Sequence, residues 1–207
     1  VKEMSPKILD FILSFGERLS ASIITEAFKE RGTDARYKDS RELIITNAAF
    51  GNAQVDFGQT DQLIQQFFIG AQGELQVLPG FIASTTRQET TTLGRGGSDY
   101  TASIIAAALN VDFLEIWTDV NGMMTADPRK VKAAFTIPEI SYEEAMELSY
   151  FGAKVIYPPS IQPAYRKQIP ILVKNTFEAT HPGTIISHNA KPGEKPVRGI
   201  SSMKSVA

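Results

Sequence analysis

The segment Leu93-Gly94-Arg95-Gly96-Gly97-Ser98-Asp99 constrains the fold more than any other stretch, because it runs a glycine-rich loop straight into a helix. Ser98 and Asp99 open a run to residue 109 that holds neither proline nor glycine, so a helix is predicted over 98–109. Apolar runs of strand length stand on both sides, at 75–78 and 81–83 upstream and at 113–117 downstream. Strand, loop, helix and strand at this spacing predict a parallel sheet with right-handed crossovers. Such sheets bind ligands beyond the C-terminal ends of their strands. The polar stretch 118–129 follows the downstream strand and is expected at that same edge.

The loop has a chemistry to match. Glycine lets a ligand approach the main chain closely, and the first turn of a helix presents unpaired N–H groups and a positive dipole end. Arg95 adds a planar guanidinium that can hold a carboxylate or phosphate with two hydrogen bonds. Taken alone, the pattern fits a solvated glycine turn as well as an anion grip.

Elsewhere the pattern alternates helix and strand. Ser5-Pro6 is a helix start with serine as N-cap, followed by Ile8, Leu9, Ile12 and Leu13 at helical spacing. Gly16 is expected to break that helix before a second one, whose apolar stripe is Leu19, Ile23, Ala27 and Phe28 and whose stop is Gly32. Glu17 then falls in a first turn, where the dipole favours a carboxylate with or without a ligand. Short strands are expected at 35–38 and 43–46, a loop at 47–60, a helix at 61–68 and a polar loop at 84–92. Ser141-Tyr142-Glu143-Glu144 forms a capping box ahead of a helix, and Phe151-Gly152-Ala153-Lys154 ends it. A short helix at 160–167 and strands at 169–175 and 183–187 complete the pattern, and 188–197 has linker composition.

Composition narrows the function classes. The 207 residues are 43% hydrophobic and 21% charged with a net charge of −2, a globular profile with no basic block for nucleic acid or an anionic membrane. Cysteine is absent, which removes thiolate metal sites and fits the cytoplasm, and two histidines are too few for a histidine-built zinc site.

Five separated motifs then carry a specific resemblance. They are Ser-Phe-Gly-Glu at 14–17, Thr-Thr-Thr-Leu-Gly-Arg-Gly-Gly-Ser-Asp at 90–99, Trp-Thr-Asp-Val-Asn-Gly at 117–122, Asp-Pro-Arg at 127–129 and Phe-Gly-Ala-Lys-Val at 151–155. In this order the sequence resembles the aspartokinases, and most of all the kinase part of bifunctional aspartokinase–homoserine dehydrogenases. The resemblance implies an amino acid kinase fold: a three-layer αβα sandwich with a mainly parallel sheet. It implies phosphoryl transfer from ATP, with Mg²⁺ held mainly through the nucleotide phosphates, to the side-chain carboxylate of L-aspartate. That reaction opens the route to lysine, threonine and methionine.

Carried over residue by residue, Glu17 would bind the substrate amino group and Arg95 its carboxylates. Gly96, Gly97 and Ser98 would line the substrate, with Phe81 against it. Asp99 would orient phosphate-handling lysines, and Lys154 would be catalytic and contact the nucleotide. Thr118, Asp119, Arg129 and Val155 match further nucleotide positions, as does Met124, where the family often has tyrosine. The resemblance covers a kinase domain over residues 1–187, with 188–207 as a linker and the start of a regulatory ACT domain. Homo-oligomers would form through such domains. The family's first strand, ending Lys-Phe-Gly-Gly-Thr/Ser, has no counterpart here, so a piece of a longer enzyme is expected, inactive by itself and with apolar surface uncovered. The alternatives are a nucleotide- or amino-acid-binding fragment, or a related kinase of acetylglutamate, glutamate or carbamate.

Overall fold

The computed structural model describes residues 4–151, 155–190 and 197–201. Two compact units divide the chain, Val1–Leu109 and Asn110–Ala207.

The first unit opens with α1 (Pro6–Glu30), a single helix of 25 residues. The Ser5 hydroxyl caps it by accepting the Ile8 N–H at 3.3 Å, and Pro6 occupies its first turn. The break expected at Gly16 is absent. Glycine inside a helix costs only about 0.5–1 kcal/mol relative to alanine, too little to stop a helix of this length. Glu17 therefore lies mid-helix, and the first-turn dipole argument does not apply to it.

The buried face of α1 is also not the apolar one. Asp10, Ser14, Ala21 and Thr25 are buried, whereas Ile12, Leu19 and Ile23 are at least half exposed. The small and polar side chains let α1 come close to β5 and β1, and their polar atoms are satisfied there or within the helix. The opposite face exposes Ile8, Ile12, Leu19 and Ile23, apolar side chains of the kind associated with contacts to other chains.

After α1 come β1 (Ala35–Tyr37), β2 (Ile45–Thr46), α2 (Phe57–Gly70), β3 (Leu75–Val77), β4 (Ile82–Thr85), β5 (Thr90–Thr92) and α3 (Gly97–Leu109). β1 pairs in parallel with β3, β2 in parallel with β4, and β4 antiparallel with β5. The helix expected at 61–68 begins earlier because Asp56 caps it through the Gln59 N–H. The polar loop expected at 84–92 is instead a hairpin. Thr90, Thr91 and Thr92 are buried in its second strand, with hydroxyls partnered by Arg41, Thr46 and Asp10, so β-branched shape outweighs polarity. Leu43, Ile44, Ile64, Ala83, Leu93, Ile104 and Ala108 form the core beneath α2 and α3.

The second unit contains β6 (Leu114–Thr118), β7 (Glu139–Ser141), α4 (Tyr142–Tyr150), α5 (Gln162–Arg166), β8 (Ile171–Asn175) and β9 (Thr184–Ser187). Its sheet order is β6-β8-β9-β7, parallel for β6/β8 and β7/β9 and antiparallel for β8/β9. Both units are thus mainly parallel α/β, although the pairing falls into three separate sheets rather than one. β6 is an edge strand, so Trp117 on it and the preceding Phe113 stay half exposed where a buried strand was expected. α4 carries the predicted capping box, Ser141 and Glu144 satisfying each other's backbone N–H.

Candidate functional site

In the first unit, the chain folds the glycine loop against the β3–β4 connection. Gly97 N–H donates to the Gly94 carbonyl at 3.1 Å and Tyr100 N–H to that of Gly96 at 2.9 Å, which winds the first turn of α3. Gly94 and Gly96 hold φ of 73° and 69°, the left-handed region that glycine occupies without strain. Phe81 occupies the same region, at φ 70°, and is fixed from both sides. Its N–H donates to Thr101 Oγ1 at 3.0 Å, and its carbonyl accepts from Leu93 N–H at 2.9 Å. Strained backbone of this kind persists only where the surroundings over-determine it, and it concentrates at functional sites.

Two glycines make the approach possible. A Cβ on Gly80 would stand 2.8 Å from Ser98 Cα, and one on Gly97 would stand 2.6 Å from Phe81 Cδ2.

The result is a depression of about 350 Å³ lined by Glu17, Phe81, Gly94, Gly96, Gly97, Ser98 and Asp99. Every expected substrate-side residue lines it except Arg95, whose side chain stands exposed on the loop between two lining glycines. Burial pushes the Asp99 carboxyl above the usual carboxylate range. The depression therefore joins helix-start donors, a carboxylate from α1, an aromatic ring and a neighbouring guanidinium, a set suited to a small zwitterion with extra negative charge.

The second unit holds its own cavity of about 520 Å³ where the chain leaves β6. Thr118, Asp119, Met124, Arg129 and Val155 all line it, as their motifs suggested. The Thr118 hydroxyl donates to Asp119 Oδ1 at 3.2 Å. Arg129 makes a two-pronged contact with Asp127, Nε to Oδ1 and Nη2 to Oδ2, each at 3.0 Å. Those bonds hold the Asp127 carboxyl below the usual range and raise the guanidinium. Val120, Leu148 and Ile200 give the cavity an apolar wall.

Gly122, at φ 105°, lies so close to Thr184 that any side chain would collide with its hydroxyl. That hydroxyl donates to the Ile137 carbonyl at 2.7 Å and accepts Met123 N–H at 2.8 Å, bracing the loop that carries Met124. The lining thus sets one cation, Arg129, and two carboxylates, Asp119 and Asp127, against an apolar wall. No group of three or more His, Cys, Asp or Glu among the described residues could hold a metal ion. Lys154, expected to be catalytic, lies outside the described residues.

Four contributors are not announced by the sequence pattern: Gly80, Thr101 within the predicted helix, and Ile200 and Ser201, which line the cavity although 188–207 reads as a linker and the start of a following domain. Ile200 N–H donates to the Thr125 carbonyl at 2.8 Å, a contact that no local pattern announces.

Comparison with known proteins gives a consistent neighbourhood. The Amino acid kinase family model matches residues 1–175. The chain is 41% identical over 179 residues to the chloroplastic bifunctional aspartokinase/homoserine dehydrogenase of Daucus carota, covering 86% of this chain and 19% of that protein. It is 40% identical over 188 residues to the lysine-sensitive aspartokinase 3 of Escherichia coli (strain K12), covering 90% of this chain and 42% of that one. The crystal structure of E. coli aspartokinase III in complex with aspartate and ADP superposes with a TM-score of 0.88 at 39% identity, over 96% of this chain and 44% of that chain. UMP kinase from Bacillus anthracis, at 17% identity and a TM-score of 0.58, shares the fold alone. The chain thus spans well under half the length of these aspartokinase relatives. Among the described residues, no helix is long and apolar enough to cross a membrane.

Proposed function

The chain belongs to the amino acid kinase family, and from that premise we propose that it forms the aspartate- and ATP-binding part of an aspartate kinase. The observation that carries the reading is the gathering of Glu17, Phe81 and the loop 94–99 around one depression. Its relatives in E. coli and Daucus carota are named for aspartokinase activity, and one solved relative holds aspartate and ADP. In this reading Glu17 takes the α-ammonium, Arg95 the carboxylates, and the helix-start N–H groups of Gly97 and Ser98 the substrate's oxygens. Phe81 covers the aliphatic stem. Thr118, Asp119, Met124, Arg129 and Val155 receive the nucleotide in the second unit, and Lys154 is assigned to its phosphates on its motif.

The side-chain carboxylate oxygen attacks the γ-phosphorus, the bond from that phosphorus to the β–γ bridging oxygen breaks, and ADP leaves with the electron pair. The product is 4-phospho-L-aspartate, and no proton need move. Mg²⁺ carried by the nucleotide phosphates would neutralise charge on the moving group. This chain's residues contribute positioning and charge, which dominate catalysis of phosphoryl transfer.

Calorimetry on Arg95→Ala tests the assignment. A charge-assisted bond of about 1.5–3 kcal/mol corresponds to a roughly ten- to hundredfold weaker Kd for L-aspartate, with affinity for an ATP analogue unchanged. Equal aspartate affinity in Arg95→Ala and wild type would remove Arg95 from the site.

A further inference from the structure

Asp10 is a buried carboxylate that the proposed reaction does not use. Its Oδ2 accepts Gly51 N–H at 2.8 Å and Thr92 N–H at 3.1 Å, and its Oδ1 accepts the Thr92 hydroxyl at 2.8 Å. One side chain thus ties three segments together: α1, the loop at 51 and the end of β5. No ion pair to it occurs among the described residues, so neutral donors alone offset its desolvation.

A buried charge is a poor device for stability, since apolar residues of similar volume hold elements together as well or better. What it supplies is direction, because three donors converging on two oxygens fix rotation as well as distance.

The fixed geometry reaches the candidate site at both ends. Seven residues along the helix is close to two full turns, so Glu17 lies on the same face as Asp10, about 10 Å further along the axis. Thr92 is two residues before Gly94, and the Thr92 carbonyl accepts Ala53 N–H at 2.9 Å. Gly94 in turn packs on Asn52, whose Oδ1 would lie 2.7 Å from a Cβ placed there. The segments that Asp10 grips therefore carry the carboxylate, two turns further along α1, and the glycine loop, two residues beyond Thr92, that line the depression.

We propose that Asp10 is a positioning residue, whose carboxylate locks α1 to β5 and the loop at 51 and so sets Glu17 against the loop 94–97. The inference rests on the aspartate-binding reading above, and it assigns Asp10 to the substrate side only.

The variants Asp10→Asn, Thr92→Val and Thr92→Ser test it, with L-aspartate and an ATP analogue titrated into each and amide exchange followed at residues 93–97. Asp10→Asn and Thr92→Val should weaken L-aspartate binding roughly 10-fold and speed exchange in the loop, since a displaced Glu17 loses a charge-assisted contact to the substrate ammonium. Nucleotide affinity should hold, and Thr92→Ser, which keeps the hydroxyl, should behave as wild type. If Asp10→Asn fails to fold, Thr92→Val, which preserves shape, decides the matter. Unchanged aspartate affinity with unchanged exchange overturns the inference, as does an equal loss of aspartate and nucleotide affinity, which marks a purely structural role. Wild type that binds no L-aspartate overturns the aspartate reading instead, and the exchange measurement then judges the lock by itself: unchanged exchange overturns it.

Discussion

The same substitution at two helical glycines should move stability in opposite directions. Gly16 lies within α1, and a Cβ built there meets nothing within 4 Å. Gly16→Ala therefore collects the helix preference of alanine, about 0.5–1 kcal/mol. Gly97 opens α3, and there a Cβ would stand 2.6 Å from Phe81 Cδ2, 3.0 Å from Phe81 Cα and 3.3 Å from Leu93 Cβ. The ring alone could swing aside, but the Phe81 backbone is held through Thr101 and Leu93. Overpacking of this kind costs about 1–3 kcal/mol, more than the helix preference returns. With a urea m-value of about 2 kcal/mol/M, Gly97→Ala, at a net cost of about 0.5–2 kcal/mol, should lower the unfolding midpoint by roughly 0.25–1 M and Gly16→Ala should raise it by roughly 0.25–0.5 M. Far-UV circular dichroism reports both midpoints, and calorimetry should show L-aspartate binding weakened only in Gly97→Ala. A Gly97→Ala midpoint at or above wild type would refute the close-approach argument.

Two further outcomes follow from other buried groups. Burial raises the Asp99 carboxyl, so the folded state holds that proton more tightly than the unfolded one; its contribution to stability is fully present below the ordinary carboxylate range and is lost as pH rises through the raised value. Asp99→Asn should therefore gain thermal stability over wild type at neutral pH relative to about pH 3, and an unchanged pH profile in melting curves would refute the burial effect. The Tyr142 hydroxyl, pushed up by burial, donates to the Ile169 carbonyl, so Tyr142→Phe should destabilise the second unit by about 1–3 kcal/mol, measurable through the fluorescence of Trp117. No shift in that unfolding curve would show that the bond contributes nothing.

What could be read from the sequence was what local chemistry dictates. The capping box at Ser141 and Glu144, the Ser5-Pro6 start and the helix of α3 need only neighbours a few residues away. The hairpin of β4 and β5 could not be seen that way. Its polar threonines pass for loop until Arg41, Thr46 and Asp10, all distant in sequence, satisfy their hydroxyls. Likewise a single helix could not be told from two, because the weak helix preference of Gly16 is a real signal that the length of α1 overrides.

The two depressions differ in how far their parts could be foreseen, and the difference is physical. The depression in the first unit is built largely from main chain, and main chain announces itself through glycine: Gly80, Gly94 and Gly97 stand where a Cβ would strike a neighbouring segment. Glu17 lies mid-helix and not in a first turn, and its place on the depression is set by which face α1 turns inward. That choice is made by Asp10, Ser14, Ala21 and Thr25, the residues an amphipathic reading assigns to solvent. In the cavity of the second unit, Arg129 is visible as a cation, yet its orientation depends on a pairing with Asp127 that spacing alone does not decide. If the nucleotide binds there as proposed, its phosphates compete with Asp127 for the same guanidinium. The affinity of that corner is therefore the difference between two charge-assisted contacts and not the full strength of one.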